Sequence, residues 1–198
     1  MAWTTIAAGN ATLEQGDLLR GVRVLVPLNV PEPTADGELV FTGDDLVVQA
    51  TDVVVMSQTC DLERSAEDAK RGDPLRIAQV VCCRTLQVKD SGLGKKKLDP
   101  ALKQNTSFLH CLPPLETADT DTTSDVGEWW LIHFNDVLTL PYTYVVQFAS
   151  TRERSRLDSP HRESLSHRFG DFFSRPAVDV PTPDLSAYKA GQPLDLRR

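Results

Sequence analysis

Chemistry in this chain is most readily placed in Asp52–Glu63, DVVVMSQTCDLE, where four apolar residues run straight into a polar turn, Ser57-Gln58-Thr59-Cys60-Asp61. Cys60 stands out. A helix beginning at this turn would set the thiol beside its positive end, which favours the thiolate. A cysteine hydrolase would then need a histidine base, and His110 and His133, both in expected strands, are the candidates. Metal binding is a second chemistry to weigh, because Cys60, Cys82 or Cys83, His110 and Cys111 carry suitable atoms. Yet no C-x-x-C or H-x-x-x-H spacing presents two ligands together, and the adjacent Cys82 and Cys83 point to opposite faces of a strand. Neither a metal nor a cofactor is expected. Asp61 is a candidate N-cap, while Ser57, Gln58 and Thr59 could either hold the turn through backbone hydrogen bonds or meet a partner.

The elements that must position this turn are mostly strands. Val53–Met56 reads as a buried strand whose β-branched residues, stiff at χ1, leave its end little freedom. Leu46–Gln49 either continues it or forms a separate strand. Leu18–Val26 alternates as a first strand, stopped by Pro27, Pro31 and Pro33. The loop Asn29–Asp45 suits a mobile excursion with a short strand at Glu38–Thr42. Leu62–Arg71 predicts a short surface helix, and Leu75–Val88 a second long strand. Asp90–Gln104, with Lys95, Lys96 and Lys97, reads as a flexible loop. Further strands are expected at Phe108–Leu112, Glu128–Phe134, Val137–Leu140 and Tyr142–Phe148. The acidic stretch Glu116–Gly127 reads as a loop or disorder. A last helix is capped by Ser159, has Pro160 at its first position, and aligns Leu165, Phe169, Phe172 and Phe173 on one face.

Trp129 and Trp130 place one indole on each side of a strand, so one is expected in the core and the other on a recognition surface. The segment 151–175 holds six arginines, Arg162 and Arg168 among them, against four acids. It reads as a solvated helix face, or together with Lys95–Lys97 as a phosphate-binding surface.

At 198 residues, with a formal charge of −7, the chain fits one domain and is a poor generic nucleic-acid binder. The expected organisation is a loosely attached lead-in over 1–15, a single β domain over 16–180 ending in a helix over 159–175, and a proline-containing tail over 181–198. The N-terminus has neither a basic region nor a sustained apolar core, and no apolar run is long enough to span a bilayer. A cytoplasmic protein with reduced cysteines is the expectation.

The order Gly16-Asp17, a strand, a loop, DVVVMSQ and then the strand RIAQVVCCRTL resembles the PemK/MazF-like toxins over residues 16–88. That resemblance implies an SH3-like barrel, or a strongly curved antiparallel sheet, with a terminal helix. In such toxins an Arg-Pro pair leads into the apolar strand and its arginine supports RNA cleavage. Thr51-Asp52 stands at that place here. Arg84 and Thr85 are the nearest match to the family's second polar group. The chain is also similar to bacterial proteins that share a SQTCDL-type turn and an SPHRESL-type helix, which implies a role in toxin–antitoxin or phage-defence systems. The function expected first is a binding or accessory component, with a protein partner ahead of RNA, no membrane, and self-association as a homodimer a further expectation. An endoribonuclease with a relocated site, built from Arg84, Thr85, Ser57 and Asp61, comes second; a Cys60-dependent hydrolase comes third.

Overall fold

The computed structural model describes residues 3–114 and 128–174. Among the described residues it is mainly β, with one seven-stranded antiparallel sheet, four α-helices and the last helix at the C-terminal end of the described chain. In chain order the elements are β1 (Thr4–Ala7), β2 (Asp17–Pro27), β3 (Leu46–Val55), α1 (Thr59–Arg71), β4 (Gln79–Gln87), α2 (Lys95–Leu102), β5 (Leu109–Leu112), β6 (Trp130–Pro141), α3 (Tyr142–Ser150), β7 (Arg154–Leu157) and α4 (His161–Phe173). Across the sheet the order is β1-β7-β2-β3-β4-β6-β5, so the sheet is open, with β1 and β5 at its edges.

Strand alternation divides the core. Leu19, Val22, Val53, Val55, Val80 and Cys82 face one way and are covered by Leu62 of α1 and by Tyr142, Val145 and Ala149 of α3. Leu18, Val54, Cys83, Ile132 and Phe134 face the other way, under Leu165, Phe169 and Phe172 of α4. Cys82 and Cys83 therefore do point apart, as adjacent strand residues must.

Several expectations are corrected. Tyr142–Phe148 is not a strand but most of α3, because Tyr142, Val145 and Ala149 recur at helical spacing and bury against the sheet. Asp90–Gln104 contains α2, whose Ala101 packs under Val88, Leu109, Cys111 and Leu131. Glu38–Thr42 forms no strand, Leu46–Val55 is one strand, and Glu128–Phe134 and Val137–Leu140 merge into β6. α1 starts from Gln58, which places Asp61 inside its first turn rather than at the cap. Pro160, not Ser159, occupies the cap of α4.

The lead-in is not loose. β1 pairs with β7, and Trp3 is buried with its indole N–H donating to the Pro114 carbonyl at 2.8 Å. The basic segment explains this attachment, since Arg154 and Arg156 lie on a strand and not on a solvated helix. Arg154 donates to the carboxylate of Asp17 at 2.7 Å and to the carbonyls of Ala8, Ala11 and Thr12, while Arg156 pairs with Asp17 and Glu14. Asp17 is wholly buried, and two guanidinium groups offset the cost of its charge. The expected loop at 116–127 and the tail at 181–198 lie outside the described residues.

Candidate functional site

The Ser57–Asp61 turn is tied at several points to the frame. The Ser57 hydroxyl accepts the Val81 N–H at 2.8 Å, fastening the turn to β4. Thr59 Oγ1 accepts the Gln15 N–H at 3.2 Å, and Gln15 Nε2 donates to the Met56 carbonyl at 2.9 Å. Asp61 pairs with Arg76 at 3.5 Å. These bonds give Ser57, Thr59 and Asp61 structural work, while Met56, Ser57, Gln58, Asp61 and Phe169 border a cleft of about 330 Å³.

Cys60 is exposed, and its thiol lies 3.7 Å from Gln58 Oε1. No histidine bonds to it among the described residues. His110 is on β5 at the sheet edge, with β4 and β6 lying between β5 and β3, the strand that leads into Cys60's turn. Burial, helped by the charges of Arg168 and His161, pushes the His110 pKa down to about 4. Burial also lowers that of His133. The other thiols are buried and raised by burial, Cys82 and Cys83 to about 12 and Cys111 to about 11. No group of three or more His, Cys, Asp and Glu side chains stands together among the described residues.

Arg84 and Thr85 are brought elsewhere. Across β3 and β4 the register sets Asp52 opposite Thr85, so the two places singled out by the toxin resemblance, 51–52 and 84–85, meet in space. They line a cleft of about 360 Å³ with Arg20, Gln87, Asp90 and Trp130. A bulge creates its wall: Arg20 and Gly21 together oppose Asp52, Gly21 has φ +67°, and its N–H donates to Asp52 Oδ1 at 2.8 Å. The Arg20 guanidinium lies 4.8 Å above the Trp130 ring. Arg84 is 3.6 Å from Asp136, and Thr85 Oγ1 is buried without a hydrogen-bond partner in the described structure. Ser57 and Asp61 border the other cleft, so the four residues of the relocated nuclease site do not converge.

The recognition residues are largely occupied. Trp130 is buried beneath Arg20, and Trp129 is half-buried beside α2 and β5. Arg162 pairs with Glu14 at 3.0 Å. Arg168 donates to the carbonyls of Gln104, Thr106 and Leu109 at 2.6–2.9 Å. Lys95, Lys96 and Lys97 are exposed at the start of α2, but these arginines face inward and do not join them in a phosphate-binding surface.

Sequence reasoning missed the most exposed feature. Eight of the twelve large apolar side chains exposed among the described residues fall in one hairpin and its loop: Leu25, Leu28, Val30, Leu39, Val40, Phe41, Val47 and Val48. β2 and β3 continue as a two-stranded projection after β7 and β4 cease to accompany them, at Leu18 and Asp52 respectively. The signal was available in the apolar pairs and triplets inside a segment otherwise rich in Pro, Gly and Asp. No family model matches this chain, and no match is found among curated proteins or solved structures. No helix among the described residues is long and apolar enough to cross a membrane.

Proposed function

We propose that this chain is a toxin-like binding component of a bacterial conflict system, of the toxin–antitoxin or phage-defence type, and that a protein partner docks on the β2–β3 projection. The carrying observation is the concentration of exposed apolar side chains on that one hairpin. Scattered apolar residues are ordinary on a surface, whereas a contiguous apolar projection marks an interaction face. The net charge of −7, and the use of Arg154, Arg156, Arg162 and Arg168 in internal bonds, favour protein over RNA as the partner. The toxin-like and bacterial parts of the reading rest on the sequence resemblance.

The cleft at Arg84 supports a second reading, an endoribonuclease in which Asp52 takes a proton while Arg20 and Arg84 offset phosphate charge. The Cys60 hydrolase receives no support from the geometry, for want of a histidine beside the thiol.

Expression of the wild type, Val48→Glu, Arg84→Ala and Cys60→Ala in a bacterial host, with growth and total RNA followed, separates these readings. The binding reading expects intact RNA in every culture and any growth effect to be lost in Val48→Glu alone. RNA fragmentation abolished by Arg84→Ala would replace it with the nuclease.

A further inference from the structure

The projection has two outer edges, and among the described residues only that of β2 is met by side chains of the packed region, as far as Arg23. Along β2, Arg152 donates to the Arg20 carbonyl at 3.3 Å. The Tyr144 hydroxyl accepts the Arg23 N–H at 3.0 Å and donates to the Arg23 carbonyl at 2.9 Å. These bonds also fix the phase of the β2–β3 ladder. Because Arg23 turns its polar groups outward, its partner Ala50 belongs to a non-hydrogen-bonded pair. Alternation then makes Leu46, Val48 and Ala50 the residues of β3 that point N–H and C=O away from β2. Pro27 agrees with this phase, since it sits opposite Leu46, where no N–H is required.

β4 pairs with β3 only from Asp52 to Val55. Among the described residues no strand lies beside Leu46, Val48 and Ala50, and their backbone groups receive no other hydrogen bond. Open edges are commonly blunted by lysine, proline or a bulge. This one, Leu46–Thr51, reads LVVQAT and carries none of these. It is uncharged and, from Val47 to Ala50, exposed, a combination that invites another strand.

We propose that the outer edge of β3 receives an extended segment of a protein partner, added as a strand beside Leu46, Val48 and Ala50. This rests on the reading of the hairpin as the partner-binding face and names how that face is used. The incoming segment is uncharged, about five residues long, and apolar at alternate positions so that it extends the face on which Val48 stands beside Leu25.

A second copy is the poorer occupant. Antiparallel self-pairing that uses all three open residues sets Val48 against Val48, and it carries the Asp44-Asp45 turn of one copy to Asp52 of the other. Thr85 already holds the pairing position there, and Asp52 and Asp90 add like charge. A partner strand that stops short of the cleft meets neither obstacle.

The test uses the full chain extended after Arg198 by a flexible glycine–serine linker of about 30 residues and a short strand of alternating valine and threonine, which supplies a millimolar effective concentration. Amide hydrogen exchange reports on the edge. Relative to the linker alone, the amides of Val48 and Ala50 are expected to slow by about tenfold or more, while those of Val47 and Gln49, already bonded to β2, change little. Ala50→Pro removes one outward donor and leaves every exposed apolar side chain in place, so it should abolish the protection of Val48 in a chain that remains folded.

Uniform protection of residues 47–50, or none at Val48 and Ala50, would overturn strand addition. Concentration-dependent protection in the chain without the tether would assign the edge to a second copy instead. If the hairpin is no interaction face at all, Val48→Glu leaves a cellular partner bound. That outcome is distinct from one in which Val48→Glu releases the partner and Ala50→Pro retains it, which would place the partner on the apolar face and not on the edge.

Discussion

Val53, Val54 and Val55 are fully buried, whereas Val47 and Val48 on the same strand are 37% and 58% exposed. The residue type is the same in both halves, and only the neighbours differ. At its inner end β3 lies between β2 and β4 with helices on both faces; beyond Asp52, among the described residues, it keeps β2 alone. The Arg20–Gly21 bulge marks the boundary and leaves the Arg84 cleft at the point where β3 and β4 part. Hydrophobic patterning therefore marks what will be covered, and the extent of strand pairing decides whether the chain itself provides the cover.

The largest contrast lies between two arginines that bond to β2, one at its packed end and one beside the bulge. Arg154→Met strips a buried carboxylate of a partner and is expected to cost about 3–5 kcal/mol, read as a lowered urea midpoint. Arg152→Met, which loses one exposed bond to the Arg20 carbonyl, is expected to cost less than about 1 kcal/mol.

Acid should strike the packed region next. His110 is neutral in the folded chain, its pKa pushed from 6.5 to about 4 mainly by burial and secondarily by Arg168 and His161. As the pH falls below 6.5 the unfolded chain takes the proton first. Stability is therefore intact above that pH and declines until about pH 4, by roughly 3 kcal/mol in total. His110→Gln should flatten this part of the stability–pH curve.

Within β3 itself, Val54→Ala is expected to cost about 2 kcal/mol and Val48→Ala less than about 0.5 kcal/mol. Equal costs would mean that the outer half is packed in solution. The smallest effect is chemical: one thiol per native chain should react with a disulfide reagent, that of Cys60, with Cys82, Cys83 and Cys111 labelled only on unfolding.

Much of the frame was legible in the sequence. The strands at 18–26 and 53–55 and the amphipathic Leu165, Phe169 and Phe172 follow from period alone. α3 was not legible as a helix, because its Tyr and Val residues favour strands locally and only packing reverses the choice. Arg154 looked like part of a solvated basic face, since its partner Asp17 lies 137 residues away in the chain. The Ser57–Asp61 turn was correctly found as a joint between strand and helix, but polar residues at a strand end serve anchoring as readily as chemistry. The open β3 edge depends on where β4 stops pairing, which no local pattern encodes.

The most direct test of the central claim is a quantitative comparison of what copurifies with the tagged full chain, Val48→Glu and Arg84→Ala from the native host, with all three matched for urea midpoint. The account predicts one stoichiometric protein partner with the wild type, retained by Arg84→Ala and lost from Val48→Glu. A partner kept by Val48→Glu, or lost only from Arg84→Ala, would contradict it and move the binding face to the cleft.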